Sequence, residues 1–166
     1  MTRWRPPQPK SSPYITPEGY QALEVEFREL WSKRKEVVLA LSAAAAEGDR
    51  SENAEYIYRK KELRALDRRI HYLQRRLPTL NIISEIPEIQ DRIFFGAWVT
   101  LENGGEEITY RIVGADELDP KKHTISLDSP MAQALLKKTL GDEVVIKNEF
   151  NENRYFIVDI RYHRNE

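Results

Sequence analysis

Residues 46–56, AEGDRSENAEY, separate two segments of the chain that share one hydrophobic repeat. Before this link, apolar residues recur at intervals of three, four and seven, at Tyr20, Leu23, Phe27, Leu30, Val37, Leu41 and Ala44. After it, the same spacing continues at Tyr56, Leu63, Leu66, Ile70, Leu73 and Leu77. Heptad spacing is typical of helices that pack along an apolar seam, and a short link makes them antiparallel neighbours. The sequence therefore predicts an antiparallel coiled-coil hairpin over residues 14–80, with Arg34 as a polar break in its seam.

The two ends of this hairpin carry ordinary helix signals. Thr16 is placed to cap the first helix, and Pro17 suits the first helical position because its missing N–H costs nothing there. Pro78 ends the second helix. With about 26 residues per arm at 1.5 Å per residue, we expect a rod of roughly 40 Å.

The link between the arms has two interpretations. As structure, Gly48 terminates the first helix, Asp49 caps the second, and Glu52 completes a capping box. As function, two carboxylates three residues apart at an exposed tip offer hard oxygen ligands for Mg²⁺. Two carboxylates alone do not complete a magnesium site, so the second interpretation requires a site supplied mainly by another molecule.

The second half of the chain changes from heptads to alternation. We predict a strand hairpin around Asn103-Gly104-Gly105 and a short helix at 129–136, capped by Ser129 with Pro130 at its first position. Two more strands fit 143–147 and 155–162, which gives a small α+β domain over 91–166. Residues 81–90 are predicted as a linker. Residues 1–13 are basic and Pro-rich, and we expect a disordered tail or, alternatively, a nonspecific nucleic-acid arm.

Composition excludes several kinds of site. The chain has 166 residues, a net charge of −1 and no cysteine, so disulfides and thiolate chemistry are absent. The three histidines, His71, His123 and His163, are far apart in the sequence, which argues against an imidazole metal site. We therefore expect no cofactor of its own. There is no long apolar run and no signal-peptide pattern, which predicts a cytoplasmic protein without a membrane partner.

Positive charge is concentrated in the second helical segment. Residues 56–77 contain eight Lys and Arg against two acids. At 3.6 residues per turn, Lys61, Arg64 and Arg68 fall opposite the apolar seam, with Lys60 at the edge of this face. Such a face is usually solvated, but it normally mixes charges, whereas here like charges stand four residues apart. This pattern favours a phosphate-bearing partner, and we predict nucleic-acid contacts for Lys60, Lys61, Arg64 and Arg68.

Three segments resemble the bacterial Gre transcript-cleavage factors. They are GDRSENAEY at 48–56, FFGAWV at 94–99, and DSPMA at 128–132. The resemblance extends over residues 14–162. Arg50, the FFGAWV segment and the basic second helix are similar to the GreB branch rather than the GreA branch. Gln133 departs from the Arg expected after Ser-Pro-Met-Ala, which puts one contact of the second domain in doubt.

The resemblance implies a function in trans. Gre factors bind the secondary channel of RNA polymerase and stimulate its own cleavage of backtracked RNA. By this likeness Asp49 and Glu52 help hold the second Mg²⁺ of the polymerase, and the basic face contacts the extruded RNA. The second domain would be FKBP-like, and Asp128, Ser129 and Pro130 would contact the polymerase rim. The chain would act as a monomer and would not itself be an enzyme.

Other functions remain open from the sequence. A Gre-like protein can instead plug the channel as an inhibitor, although such members carry a more acidic tip. An FKBP-like isomerase or chaperone needs an aromatic-lined apolar pocket, and most aromatic residues after position 91 look like strand core. A free-standing nuclease is disfavoured because the sequence shows no acidic cluster beyond the tip.

Overall fold

The computed structural model describes residues 10–48 and 53–163. The chain divides into two compact units. We call Tyr20–Leu80 the hairpin unit. The C-terminal unit combines the described residues before Tyr20 with those after Leu80.

Two helices make up the hairpin. Helix α1 spans Pro17–Ala46 and helix α2 spans Ala54–Arg76, followed by a 3-10 turn at Leu77–Thr79. At 1.5 Å per residue, α1 is about 45 Å long and α2 about 35 Å. Thr16 caps α1 as predicted, because its hydroxyl accepts a hydrogen bond from the Gly19 N–H at 3.1 Å. The heptad pattern predicted both helices correctly.

The helices pack along the predicted seam. Leu23, Val37 and Ala44 of α1 are buried, as are Ile70 and Leu73 of α2. Burying apolar side chains on one stripe of each helix supplies most of the stability of such a pair.

Ion pairs between α1 and α2 fix their antiparallel register. Glu26 accepts two hydrogen bonds from Arg69, at 2.6 and 3.0 Å. Arg34, the polar break of the seam, donates to Asp67 at 2.6 Å. Residues further along α1 thus meet residues earlier in α2, and the polar break is filled by a cross-helix pair.

The C-terminal unit is built on two sheets. Strands β1 (Tyr14–Ile15) and β2 (Asn81–Ile82) form a short parallel pair. The larger sheet contains five strands, β3 (Trp98–Asn103), β4 (Glu106–Val113), β5 (Thr124–Ser126), β6 (Glu143–Lys147) and β7 (Glu152–Arg161). Their order is β5-β4-β3-β7-β6, antiparallel except for the parallel β4–β5 pair.

A short helix, α3 (Pro130–Leu135), packs on this sheet and contributes Ala132 and Leu135 to the core. The other buried members come from the strands and their flanks, namely Ile93, Ala97, Val99, Leu101, Ile112, Val144, Ile157 and Tyr162. The predicted fold class, a helical hairpin followed by a small α+β domain, is confirmed.

The strand predictions differ from the structure in three places. Strand β7 begins at Glu152 rather than at residue 155. Strand β5 and the β1–β2 pair were not predicted, because they are too short to show an alternating pattern. Their partners lie far away in the sequence, as with Tyr14 and Asn81.

Candidate functional site

The two predicted tip acids, Asp49 and Glu52, lie outside the described residues. The structure does describe the helix ends on either side of them. The N-cap of α2 is Asn53, whose side-chain oxygen accepts from the Tyr56 N–H at 3.0 Å. The capping prediction for Asp49 is therefore wrong, since α2 begins only at Ala54.

Asn53 also joins the two arms at the tip. Its side-chain amide donates to the carbonyl of Ala44 near the end of α1, at 2.7 Å. One residue thus satisfies an N–H at the start of α2 and a carbonyl near the end of α1. The sequence signal for this cap was present, since Asn is a preferred N-cap residue and Glu55 supplies an acid in the first turn. Asn53 therefore replaces Asp49 as the cap of α2.

The four predicted nucleic-acid residues lie on one helix, and all are exposed: Lys60, Lys61, Arg64 and Arg68. Within residues 10–48 and 53–163, none of the four takes part in an ion pair. The ammonium of Lys60 lies 5.8 Å from the ring centre of Tyr56, a weak cation–π contact. The structure thus leaves four cations on α2 directed to solvent or to a partner.

Other arginines of α2 are neutralised within the hairpin. Arg59 bonds Glu55 at 2.8 Å and Glu62 at 3.0 Å. These hydrogen bonds, first to Glu55 and then to Glu62, raise the pKa of the Arg59 guanidinium above its ordinary value. Arg69 is paired with Glu26 on α1. The acids of α2 therefore pair with Arg34 and Arg59, and none of them pairs with the four exposed cations.

The predicted partner residues lie at the start of α3. Ser129 caps this helix by accepting from the Ala132 N–H at 3.1 Å, and Pro130 occupies its first turn, both as expected. Asp128 is exposed and also has a partner within the chain. Its carboxylate accepts from the backbone N–H of Ser12 at 2.8 Å and from the Ser12 hydroxyl.

Gln133, where an Arg was expected, also has a local role. Its side-chain amide donates to the carbonyl of Leu127 at 2.7 Å. This bond ties the first turn of α3 back to the loop that carries Asp128. In place of the expected charged side chain, this chain therefore has an amide that stabilises the loop carrying Asp128.

The FFGAWV segment is fixed by the core of the C-terminal unit. The Tyr162 hydroxyl accepts from the Phe94 N–H at 2.9 Å, and burial raises the pKa of this hydroxyl. Gly96 adopts a φ of +86°, a left-handed conformation that favours glycine. Trp98 stacks with Arg111, whose guanidinium carbon lies 3.9 Å from the ring centre. Burial lowers the pKa of Arg111. These contacts explain the segment as structure.

The isomerase alternative finds little support in the C-terminal unit. A cavity of about 540 Å³ is lined in part by Tyr110 and Tyr155. Two carboxylates, of Glu106 and Glu107, share the lining, whereas a proline ring needs an apolar pocket. Phe150 is 89% exposed on the turn between β6 and β7 and does not line this cavity.

Neither a metal-binding cluster nor a membrane-spanning helix occurs in the described residues. No group of three or more His, Cys, Asp or Glu side chains there is arranged to hold a metal ion. Across the same residues, no helix combines the length and the apolar character required to span a bilayer.

Comparison with known proteins covers both halves of the chain. Residues 13–82 match the family model described as transcription elongation factor, N-terminal. Residues 87–162 match the model described as transcription elongation factor, GreA/GreB, C-term.

Individual relatives match over nearly the whole length. Transcription elongation factor GreB of Pseudomonas aeruginosa is 51% identical over 164 residues, covering 98% of each chain. The GreB of Xanthomonas axonopodis pv. citri is 50% identical over 165 residues, again covering 98% of each. A solved GreA/GreB structure from Nitrosomonas europaea is 19% identical, covers 93% of this chain and 100% of that one, and has a TM-score of 0.41.

Proposed function

Because the chain belongs to the GreA/GreB family of transcription elongation factors, we propose that it binds RNA polymerase at the secondary channel. There it stimulates the polymerase's own cleavage of backtracked RNA 3′ ends and so rescues arrested complexes. It acts in the cytoplasm as a monomer and is not itself the nuclease. The observation that carries this proposal is the identity of about 50% to GreB proteins over 98% of the chain.

The proposal divides the work between segments of the chain. The hairpin, residues 14–80, enters the channel, and the domain at 91–166 docks on the polymerase. Residues 81–90 link the two.

The tip supplies the chemistry. Asp49 and Glu52 would hold the second Mg²⁺ of the polymerase active site, since carboxylate oxygens are the ligands this ion prefers. When bound, that ion stabilises the charge that develops on the phosphate being cleaved. Asn53 is consistent with this role, because the N-cap of α2 is supplied by Asn53 and not by either acid. The same carboxylates orient the attacking water.

The basic face binds the extruded RNA. Lys60, Lys61, Arg64 and Arg68 are exposed on α2 and lack ion-pair partners among the described residues. Cations of this kind attract phosphates without regard to base sequence, which suits a factor that must act on any transcript.

The loop Asp128-Ser129-Pro130 contacts the rim of the channel. The exposed Asp128 and Pro130 provide the contact surface, while Ser129 caps α3. Ser12 donates two hydrogen bonds to the Asp128 carboxylate. These bonds hold the Asp128 side chain in one orientation on the loop.

The tip acids are tested in a cleavage assay on stalled elongation complexes. We expect the double variant Asp49→Asn, Glu52→Gln to bind polymerase with unchanged affinity and to lower the cleavage rate at least about a hundredfold. A loss of this size is typical when groups that stabilise transition-state charge are removed.

Glu47→Gln provides the matched control. Glu47 is exposed, lies just beyond the end of α1, and loses one negative charge on substitution, where the double variant loses two. We expect this variant to stimulate cleavage by the polymerase as strongly as the wild type. A wild-type rate of cleavage in the presence of the double variant would refute the proposed role of the tip acids. If the wild-type protein occupied the channel and blocked synthesis without cleavage, the chain would be a Gre-like inhibitor instead.

A further inference from the structure

A second feature of α2 lies near its C-terminal end. A cavity of about 330 Å³ opens there on the hairpin unit. Its lining consists of Arg68, His71, Tyr72, Arg75, Arg76 and Thr79. Cavities that bind small organic groups begin at about 300 Å³, so this one is large enough for a base and its sugar.

Tyr72 forms a supported aromatic surface in this cavity. The guanidinium carbon of Arg69 lies 5.4 Å from the centre of its ring. Arg69 is itself held by two hydrogen bonds to Glu26 on α1. The ring is nevertheless 41% exposed. A ring that is braced by an anchored cation and still open to solvent is suited to stacking against another flat group.

Cations surround this aromatic surface on the exposed side of α2. Arg68, Tyr72 and Arg75 follow spacings of four and three residues, which places them on one face of the helix. Arg68, His71 and Arg75 are exposed. Neither Arg68 nor Arg75 forms an ion pair with any residue in the described ranges.

Helix polarity accounts for part of this cluster only. Arg75 and Arg76 lie in the last turn of α2, where cations stabilise the negative end of the helix dipole. Arg68 lies two turns earlier, beyond the reach of that effect, and a tyrosine contributes nothing to it. An aromatic ring framed by arginines is the usual composition of a surface that binds single-stranded nucleic acid.

We propose that this cavity binds one nucleotide of single-stranded RNA, with its base stacked on Tyr72 and its phosphates contacted by Arg68 and Arg75. The inference rests on the proposed function, because the RNA is the strand that the basic face would bind. Arg68 belongs to both surfaces, so the binding path extends from Lys60 to Tyr72, about 18 Å along the helix. The cavity adds base stacking to an RNA contact that the basic face makes through phosphates alone.

The test uses the full-length protein without polymerase at low salt. Binding of a fluorescent ten-nucleotide oligoadenylate is compared with binding of an abasic oligomer of the same length and charge. We expect wild type to prefer the oligoadenylate, and Tyr72→Ala to weaken oligoadenylate binding roughly tenfold with no change for the abasic oligomer. A tenfold loss corresponds to about 1.4 kcal/mol, which is in the range for stacking one base on an aromatic residue. Tyr72→Phe should retain the preference, because the hydroxyl is not needed for stacking.

Tyr58→Ala is the matched control, since Tyr58 is 59% exposed on the same helix and contacts Arg59 but lies outside the cavity. We expect it to bind like wild type. Equal loss of both oligomers in Tyr72→Ala would mean a structural role only, and absence of oligoadenylate binding by the wild type would overturn the inference. The cleavage assay on the tip variants tests the proposed function separately, because its result does not depend on the binding of free RNA. Either proposal can therefore be refuted without the other.

Discussion

The hairpin unit and the C-terminal unit use apolar burial to different extents. In the C-terminal unit, side chains from the sheet and α3 form one contiguous core in which Leu101, Ile112 and Leu135 are fully buried. The hairpin buries a single seam and adds cross-helix pairs such as Glu26–Arg69. A globular core tolerates few changes, whereas a two-helix seam leaves most of the surface free. The charges on α2 can therefore serve a partner without weakening the fold.

The largest effect that separates the two units should come from the core of the C-terminal unit. Ile157 is 1% exposed and lies opposite Leu101 in the sheet. We expect Ile157→Ala to lower the free energy of unfolding by about 2–5 kcal/mol, because it removes buried methylenes and leaves a cavity. Urea unfolding followed by near-UV circular dichroism measures it.

Val158→Ala is the control for this change. Val158 is the next residue on β7 and is 39% exposed. Its loss should reduce the free energy of unfolding by less than about 1 kcal/mol. Equal effects at the two positions would contradict the packing that defines this unit.

An effect of intermediate size is expected for the hairpin, where it should change RNA binding and leave stability unchanged. The double variant Lys61→Gln, Arg64→Gln removes two exposed cations of the basic face. We expect the salt dependence of RNA binding, as the slope of log affinity against log salt, to fall by about 1.4, at about 0.7 per phosphate contact. The helix content and the unfolding midpoint should stay unchanged, since surface substitutions usually act within about 0.5 kcal/mol.

Arg28→Gln, Lys35→Gln gives the matched control on the other helix. Both residues are exposed on α1 and carry the same total charge. If this pair changed RNA binding as much as the α2 pair, attraction would come from net charge and not from the basic face.

The smallest effect should come from the polar break in the seam. The Arg34–Asp67 pair has side chains 35% and 47% exposed, so solvent screens much of its attraction. A double-mutant cycle with Arg34→Ala and Asp67→Ala should give a coupling of about 0.2–1 kcal/mol in thermal unfolding. A coupling of several kcal/mol would mean that ion pairs, rather than the seam, dominate the hairpin.

Local signals made much of the fold predictable. Thr16 and Ser129 cap helices through hydrogen bonds to N–H groups three residues away. The turn at Gly104-Gly105 joins β3 to β4 directly, and the heptads specified both long helices. In each case the interacting groups are close in sequence or repeat regularly. The same approach failed at Asn53, because both Asp49 and Asn53 are acceptable caps and only the position of the helix start distinguishes them.

The candidate surfaces were predictable in part. The exposed cations of α2 follow from helical periodicity and from the position of the seam. The support of the Tyr72 ring does not, since Arg69 beside the ring is held by Glu26, forty-three residues earlier in the chain. The sequence also left Asp128 without a partner, whereas Ser12 binds it across a separation of 116 residues.

The sequence by itself determined the two heptad helices, the strand-rich second half, the helix caps at Thr16 and Ser129, and the family motifs. These features arise from periodicity and from contacts within a few residues. Only the tertiary structure decided that Tyr14–Ile15 pairs with Asn81–Ile82, that Asn53 ties the tip together, and that Asp128 is held by Ser12. Such pairs form between groups distant in the chain, and no local pattern specifies a partner that only folding brings near.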